Sequence, residues 1–270
     1  MMGTIILDFT QKSRYTIDDL LNIMRILRSP EGCPWDREQS HQSIRNCLIE
    51  ETYEAVEAID NDDPELLKEE LGDVLLQVLF HSQLESEQGR FDFSDVVDGI
   101  AQKMVIRHPH VFGDTKVADS EEVLVNWDEI KKKTKNQVTQ SQVLRSVSKA
   151  LPALMRSAKV QAKASKVGFD WPDVSGALDK VAEETLELKD AIASGSHTDS
   201  TEELGDLLFS VVNVSRFLEV EPEQALSQSC ENFIERFEKV ERLAQEHGID
   251  MQTSSPNELD RLWNEAKSIS

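Results

Sequence analysis

Glu51 and Glu54, followed by Glu70 and Asp73, form two acidic pairs whose members stand three residues apart. On an α-helix a step of three residues turns about 60° short of a full circle, so both members of a pair share one face. An antiparallel helical hairpin turning midway between Glu54 and Glu70 brings the two pairs to the same height. Four ionised carboxylates placed this way repel strongly unless some take up protons or a cation lies among them. A hard divalent ion resolves the conflict, and ligands that offer only oxygen select Mg²⁺, Mn²⁺ or Ca²⁺ over zinc. Iron is disfavoured, because di-iron bundles use Glu-x-x-His and no histidine follows any of these glutamates by three residues.

In one copy, such a motif could be no more than a solvated helix face. The sequence repeats it. Glu50-Glu51-Thr52-x-Glu54 recurs as Glu183-Glu184-Thr185-x-Glu187, and Glu69-Glu70-Leu71-Gly72-Asp73 as Glu202-Glu203-Leu204-Gly205-Asp206, all at one offset of 133. Apolar neighbours argue further against a solvated face. Leu71, Val74, Leu75, Val78 and Leu79, with Leu204, Leu207, Leu208, Val211 and Val212 in the second copy, set the acids beside an apolar stripe. With a small shift of offset, Lys103-x-x-x-Arg107 aligns with Asn232-x-x-x-Arg236, and Trp127-x-Glu129-x-Lys131 with Trp263-x-Glu265-x-Lys267.

The elements that must position these groups read as helices throughout. Leu20, Leu21, Met24 and Leu27 mark a first helix after Thr16, with Asp19 at the capping-box position, and Ser29 to Pro34 breaks it. A second helix is predicted over 37–59 and stops at Asp60-Asn61-Asp62-Asp63. A third runs from Pro64 to about Glu87 and a fourth over 94–107. The second half predicts helices near 148–166, 173–193, 200–219 and 222–247, then a short one carrying Trp263. Residues 131–142 are polar and aperiodic and read as a linker. The fold expected is all-α, a tandem repeat of two four-helix units over 16–135 and 140–270, each with a carboxylate-bearing hairpin.

Composition agrees with this class and narrows the partners. The 270 residues include only 11 Gly and 8 Pro, which suits long helices with short connections. With 51 acidic against 29 basic residues the net charge is −22, which repels nucleic acid and anionic membranes but admits a small anion bridged by a cation. Cys33, Cys47 and Cys230 lack metal-ligand spacing and are odd in number, as suits a reducing cytoplasm. Ile5-Ile6-Leu7 is too short for a signal-peptide core, and no apolar run reaches the ~20 residues of a membrane span. The expectation is a cytoplasmic protein without nucleic-acid or membrane partners.

Glu-Glu-x-x-Glu followed by Glu-x-x-Asp on paired helices resembles the all-α nucleotide pyrophosphohydrolases. Two fused copies, with Cys33-Pro34-Trp35-Asp36 before the first motif and Arg107-His108-Pro109-His110-Val111-Phe112-Gly113-Asp114 after it, look specifically like the full-length MazG family. The resemblance implies Mg²⁺-dependent hydrolysis of nucleoside triphosphates, NTPs and dNTPs of broad base range, to the monophosphate and pyrophosphate, with Mn²⁺ as a substitute. Under it, Glu184, Glu187, Glu203 and Asp206 hold metal in the second unit and Glu51, Glu54, Glu70 and Asp73 in the first. Glu183, with Glu184, is the catalytic pair, and Glu50 is the counterpart of Glu183. Substrate contacts fall on Lys180, Glu202, Asp206, Asn232, Arg236 and Trp263, and in the first unit on Lys103, Arg107 and Trp127.

The sequence departs from the family pattern at Asn232, where a lysine is expected. Asn donates a hydrogen bond but brings no charge, and Lys180 and Lys239 are the nearby cations able to offset it. The C-terminal unit is the favoured catalytic one, and a homodimer is implied. His108 and His110 flank a proline at a spacing poor for metal, so a packing or substrate-edge role ranks above a ligand role. Gly168-Phe169-Asp170-Trp171-Pro172 reads as a tight connection whose Trp packs between helices, with substrate lining second. Two other functions compete: a selective dUTP or dCTP pyrophosphohydrolase, and a non-enzymatic helical metal-binding interaction module.

Overall fold

A computed structural model describes residues 9–134 and 138–268; Ile5-Ile6-Leu7 and residues 135–137 of the expected linker lie outside the described residues. Among the described residues every regular element is a helix. The chain divides at Lys131 and Lys132 into two compact units.

In the first unit α1 (Ile17–Leu27) starts at Thr16, whose side chain and that of Asp19 form the expected capping box. The helix predicted over 37–59 is two: α2 (Pro34–Glu38) and α3 (Arg45–Asp60). The break between them holds Ser40, whose backbone N–H and side chain bond with Ser43, a local alternative to helical hydrogen bonding that spacing of apolar residues does not register. Then come α4 (Pro64–Glu87), α5 (Phe93–Arg107), α6 (Pro109–Phe112) and α7 (Ser120–Thr134). Helices α3 and α4 pair as a hairpin, and α1 and α5 pack on α4. Met24, Ile44, Phe80 and Leu84 form a buried cluster beneath α1.

The second unit comprises α8 (Gln140–Arg145), α9 (Ala153–Ser165), α10 (Val174–Ser194), α11 (His197–Phe217), α12 (Pro222–His247) and α13 (Pro256–Ser268). The expected linker is therefore shorter than 131–142, since α7 enters it and Thr139 caps α8 within it through a box with Gln142. The helix predicted over 148–166 begins only at Ala153, because Pro152 has no N–H to donate to a preceding turn. Helices α10 and α11 form the hairpin, α9 packs on α11, and α12 packs on α9 and carries α13. Val240, Leu243, Ala244, Leu262 and Ala266 bury the α12–α13 contact.

The repeat extends to the hairpin turns, where residue identity does not show it. Asp62 (φ 52°) and Gly195 (φ 75°) occupy the same left-handed position at the end of α3 and α10. Asp is among the few side chains that tolerate this region. The next residues, Asp63 and Ser196, cap α4 and α11 through side-chain oxygens. Each turn lies eight residues from the acids on either side, Glu54 and Glu70 or Glu187 and Glu203, so the hairpins bring them level. Ala58 and its repeat equivalent Ala191 are both buried and let the paired helices approach closely. Asp63→Ala should remove the cap that receives the Glu65 and Leu66 N–H groups, at a cost of about 1 kcal/mol. Hydrogen exchange in the first turns of α4 should then be roughly fivefold faster, whereas unchanged protection would mean that tertiary contacts alone hold that end.

Candidate metal and nucleotide site

In the second unit the acids assemble as two overlapping trios. Single carboxylate oxygens of Glu184, Glu203 and Asp206 lie within 4.8 Å of one another, and so do those of Glu183, Glu184 and Glu187. Glu184 belongs to both trios and is only 4 % exposed. In the first unit Glu51, Glu54 and Glu70 converge within the same 4.8 Å, while Asp73 stands outside that trio although its charge acts on Glu51 and Glu70. The expectation of four carboxylates meeting at one spot is corrected to trios. Each trio holds one pair three residues apart on one helix together with a third acid: from the facing helix in Glu51, Glu54 and Glu70 and in Glu184, Glu203 and Asp206, and from the same helix in Glu183, Glu184 and Glu187.

The electrostatics follow from this crowding. Burial, then the charges of Asp73, Glu54 and Glu70, raise the pKa of Glu51; burial and the charges of Glu54, Asp73 and Glu69 raise that of Glu70. Burial comes first again for Glu187 and Glu203, followed for Glu187 by a hydrogen bond with Glu184 and for Glu203 by the charge of Glu187. Lys180 Nζ lies 2.5 Å from Glu184 Oε1 and 2.9 Å from Glu183 Oε1, and these carboxylates raise its pKa. Thus Lys180 sits on the acids themselves, and the position 133 earlier is Cys47. The other oxygen, Glu184 Oε2, is buried and has no partner. A buried anionic acceptor left bare among further carboxylates fits a hard divalent cation of the Mg²⁺ or Mn²⁺ kind.

The remaining expected residues fall into distinct places. Arg236 on α12 stacks 4.9 Å from the ring centre of Trp263 on α13, and Arg107 on α5 stacks 5.2 Å from that of Trp127 on α7. Both units therefore present one Arg–Trp pair. Phe233 adds a ring 5.0 Å from Trp263, and His108 sets an edge 5.0 Å from Trp127 while its Nδ1 meets Met104 O. His108 is thus a packing residue, and neither it nor His110 joins a metal-type cluster among the described residues. Asn232 and Lys103 are exposed, Asn232 accepting from Gln228. Glu202 is exposed and contributes charge to Glu203. The side chain of Glu129 lies outside the described residues.

A feature absent from the sequence reading lies along α11. A cavity of about 420 Å³ is walled by Leu144, Val160, Ala164, Phe169, Trp171 and Phe209, with Gln161, Asn213, Asp170 and Arg216 as its polar groups. Trp171 packs its ring against α10, where any Cβ on Gly176 would come within 2.8 Å of it, and it also forms a wall of this cavity beside α9 and α11. Arg216 clamps the 168–172 connection by a bidentate bond to Asp170. Two signals for the cavity were legible: Gln161 interrupts the apolar side of α9, and Asn213 interrupts the run Val211-Val212-Asn213-Val214. On the first unit's α4 the position matching Asn213 is Phe80, packed in the core with Met24, Ile44 and Leu84.

The sequence pattern of the MazG nucleotide pyrophosphohydrolase domain matches residues 39–112 and again 174–241, which encloses both carboxylate hairpins. This chain belongs to the MazG family. It is 44 % identical over 250 residues to the nucleoside triphosphate pyrophosphohydrolase/pyrophosphatase MazG of Thermotoga maritima, covering 93 % of this chain and 95 % of that one. It is 42 % identical over 256 residues to the nucleoside triphosphate pyrophosphohydrolase of Escherichia coli K12, with 93 % and 97 % coverage. The Bacillus subtilis protein YabN is 50 % identical over 247 residues, a match to 91 % of this chain and half of YabN.

Since burial and like charge raise the pKa of Glu203, ionising it costs the metal-free protein stability. The unfolded chain loses that proton first, so the penalty grows as pH rises through the ordinary carboxylate value of 4.5 towards the raised one. Glu203→Gln should therefore melt higher than the unsubstituted chain at pH 8 in EDTA, and the gain should vanish by pH 4. A gain equal at both pH values would point to packing instead of charge.

Proposed function

We propose that this protein hydrolyses nucleoside triphosphates to the monophosphate and pyrophosphate with a divalent cation, Mg²⁺ or in its place Mn²⁺, and that the second unit carries the reaction. The observation that carries this reading is the alignment of the cavity with the acidic cluster. Asp206 and Asn213 are seven residues apart on α11, which puts them on one face about 10 Å apart. That is the scale of a nucleotide laid with its phosphates at the carboxylates and its nucleoside in the cavity. A volume of about 420 Å³ falls in the range of small-ligand sites, and its aromatic walls suit a base. In the first unit the matching region is packed core, which favours the second unit despite its Asn232.

Glu184, Glu203 and Asp206 would hold the cation, with Glu187 beside them. The ion would supply charge neutralisation at the α-phosphoryl group and its leaving pyrophosphate. Glu183 is exposed and borders the trio, so it is placed to take the proton of an attacking water. Lys180 donates to Glu183 and Glu184 together and orients both. Arg236, held flat by Trp263, keeps guanidinium N–H groups for phosphate.

We also propose a homodimer. Leu204 and Leu208 are about half exposed, as are Leu71 and Leu75 less evenly, although they flank the acids. Between them sit Gly205 and Gly72, where an added Cβ would meet nothing within 4 Å in this chain. A mid-helix glycine costs about 1 kcal/mol, and an open surrounding leaves that unexplained unless another chain approaches closely. The expected site is cytoplasmic, with neither nucleic acid nor membrane as partner; no described helix is long and apolar enough to cross a membrane.

Purified full-length protein with Mg²⁺ and a nucleotide panel should yield monophosphate and pyrophosphate. Glu184→Gln, Glu203→Gln or Asp206→Asn should each lower turnover about 100-fold or more with helicity retained, while Glu51→Gln and Glu70→Gln leave it within a few-fold. The opposite ranking would move catalysis to the first unit, and no product from any nucleotide would favour a metal-binding interaction module. Sedimentation should show two copies at micromolar concentration, and a monomer would remove the dimer.

A further inference from the structure

Two carboxylate trios overlap in the second unit, and a positive charge of the chain itself sits in one of them. Glu183, Glu184 and Glu187 all stand on α10, whereas the other trio joins Glu184 to Glu203 and Asp206 on α11. Each presents three oxygens within 4.8 Å of one another, so spacing alone lets either receive a divalent ion. Lys180 separates them. It precedes Glu183, Glu184 and Glu187 by three, four and seven residues, steps that keep all four on one helical face. Its ammonium lies 2.5 Å from Glu184 Oε1 and 2.9 Å from Glu183 Oε1, so it bonds two members of the α10 trio at once.

The first unit supplies the contrast. Glu50, Glu51 and Glu54 repeat the spacing on α3, but Cys47 takes the position of Lys180. Among the described residues Glu50 joins no metal-type group, and Glu51 and Glu54 converge with Glu70 of α4 instead. A trio confined to one helix thus forms where the lysine is present and not where it is missing. That is the outcome expected when an ammonium offsets the repulsion among neighbouring carboxylates.

We infer that Lys180 stands in the place of a second divalent ion, so that the second unit takes one ion, in the Glu184, Glu203 and Asp206 trio, and no more. The inference rests on the divalent-cation site proposed above. Two ions sharing Glu184 would lie about 4 Å apart, the spacing of two-metal phosphoryl-transfer sites. With the ammonium between Glu183 and Glu184, the second position is filled by a charge tethered to the same helix. The consequence falls on Glu183. Coordination to a second ion would lower the basicity of the carboxylate placed to accept a proton from water, far more than a hydrogen bond does. A bond from Lys180 holds that carboxylate and leaves its other lone pairs free. Lys180 is thus a positioning residue that sets the number of ions.

The test is Mn²⁺ binding to the full-length, nucleotide-free protein, counted by calorimetry and read by electron paramagnetic resonance. The first unit's acids are the same in every variant, so any ion held there cancels in the differences. Asp206→Asn should lower the count by one per chain, which locates the ion of the second unit. Lys180→Met, which keeps the length of the side chain and removes its charge, should raise the count by one, and the added ion should broaden the bound Mn²⁺ signal through spin coupling to its neighbour. Lys180→Arg keeps the charge and should hold the unsubstituted count. An unchanged count in Lys180→Met, an added ion without spin coupling, or an added ion in Lys180→Arg as well would each overturn the inference and leave the single-ion site standing. If Asp206→Asn loses no ion, the ion site itself falls, and the inference with it.

Discussion

Like charge held at close range is the constraint on which the rest of this structure depends. Each hairpin sets carboxylates within 4.8 Å of one another, beside apolar stripes that deny them free hydration. Several consequences follow from that single expense. The hairpin helices need a short, well-capped turn, met by the left-handed Asp62 or Gly195 and the caps Asp63 and Ser196. They need small contact residues, met by Ala58 and Ala191. They also need positive charge, which Lys180 supplies to Glu183 and Glu184 in the second unit and which Cys47 at the matching position does not.

The two units answer the same constraint differently. In the first, the region of α4 beyond the acids is filled by Phe80, Met24, Ile44 and Leu84, so the hairpin is tied to a hydrophobic core. In the second, the matching stretch of α11 is left open, and its groove is walled by the Phe169–Trp171 connection that Arg216 holds through Asp170. Removing core from that position sacrifices burial, which is worth about 25 cal/mol per Å² of apolar surface. A cavity kept at such a cost, next to an acidic cluster on one helical face, is the arrangement expected of a binding site and not of a scaffold.

The Arg–Trp pairs show how one local solution serves both units despite drift in sequence. Arg107 with Trp127 and Arg236 with Trp263 stack at nearly the same distance, although the residue four before the arginine is Lys103 in one case and Asn232 in the other. Stacking fixes the guanidinium plane without consuming its N–H donors. The stacking geometry is thus the same whether the residue four before the arginine is lysine or asparagine.

By itself the sequence determined the helical class, the duplication and the identity of the acidic residues, because helical period, capping chemistry and charge spacing are local and the repeat made them redundant. The α4 helix, the Thr16 capping box and the level placing of the acids across the turn could all be read this way. Tertiary structure decided what local pattern cannot carry. The break at 39–44 depends on serine side chains competing for backbone groups, and two of the three trios need acids from facing helices. The cavity joins α8, α9, α11 and the 168–172 connection, and the amide orientations of Gln161 and Asn213 are imposed by Phe209 and Arg216 from residues distant or merely nearby in sequence. Depth, orientation and the unpartnered state of a buried oxygen arise only when separate helices pack, since no single segment contains both the polar atom and the walls that exclude water from it.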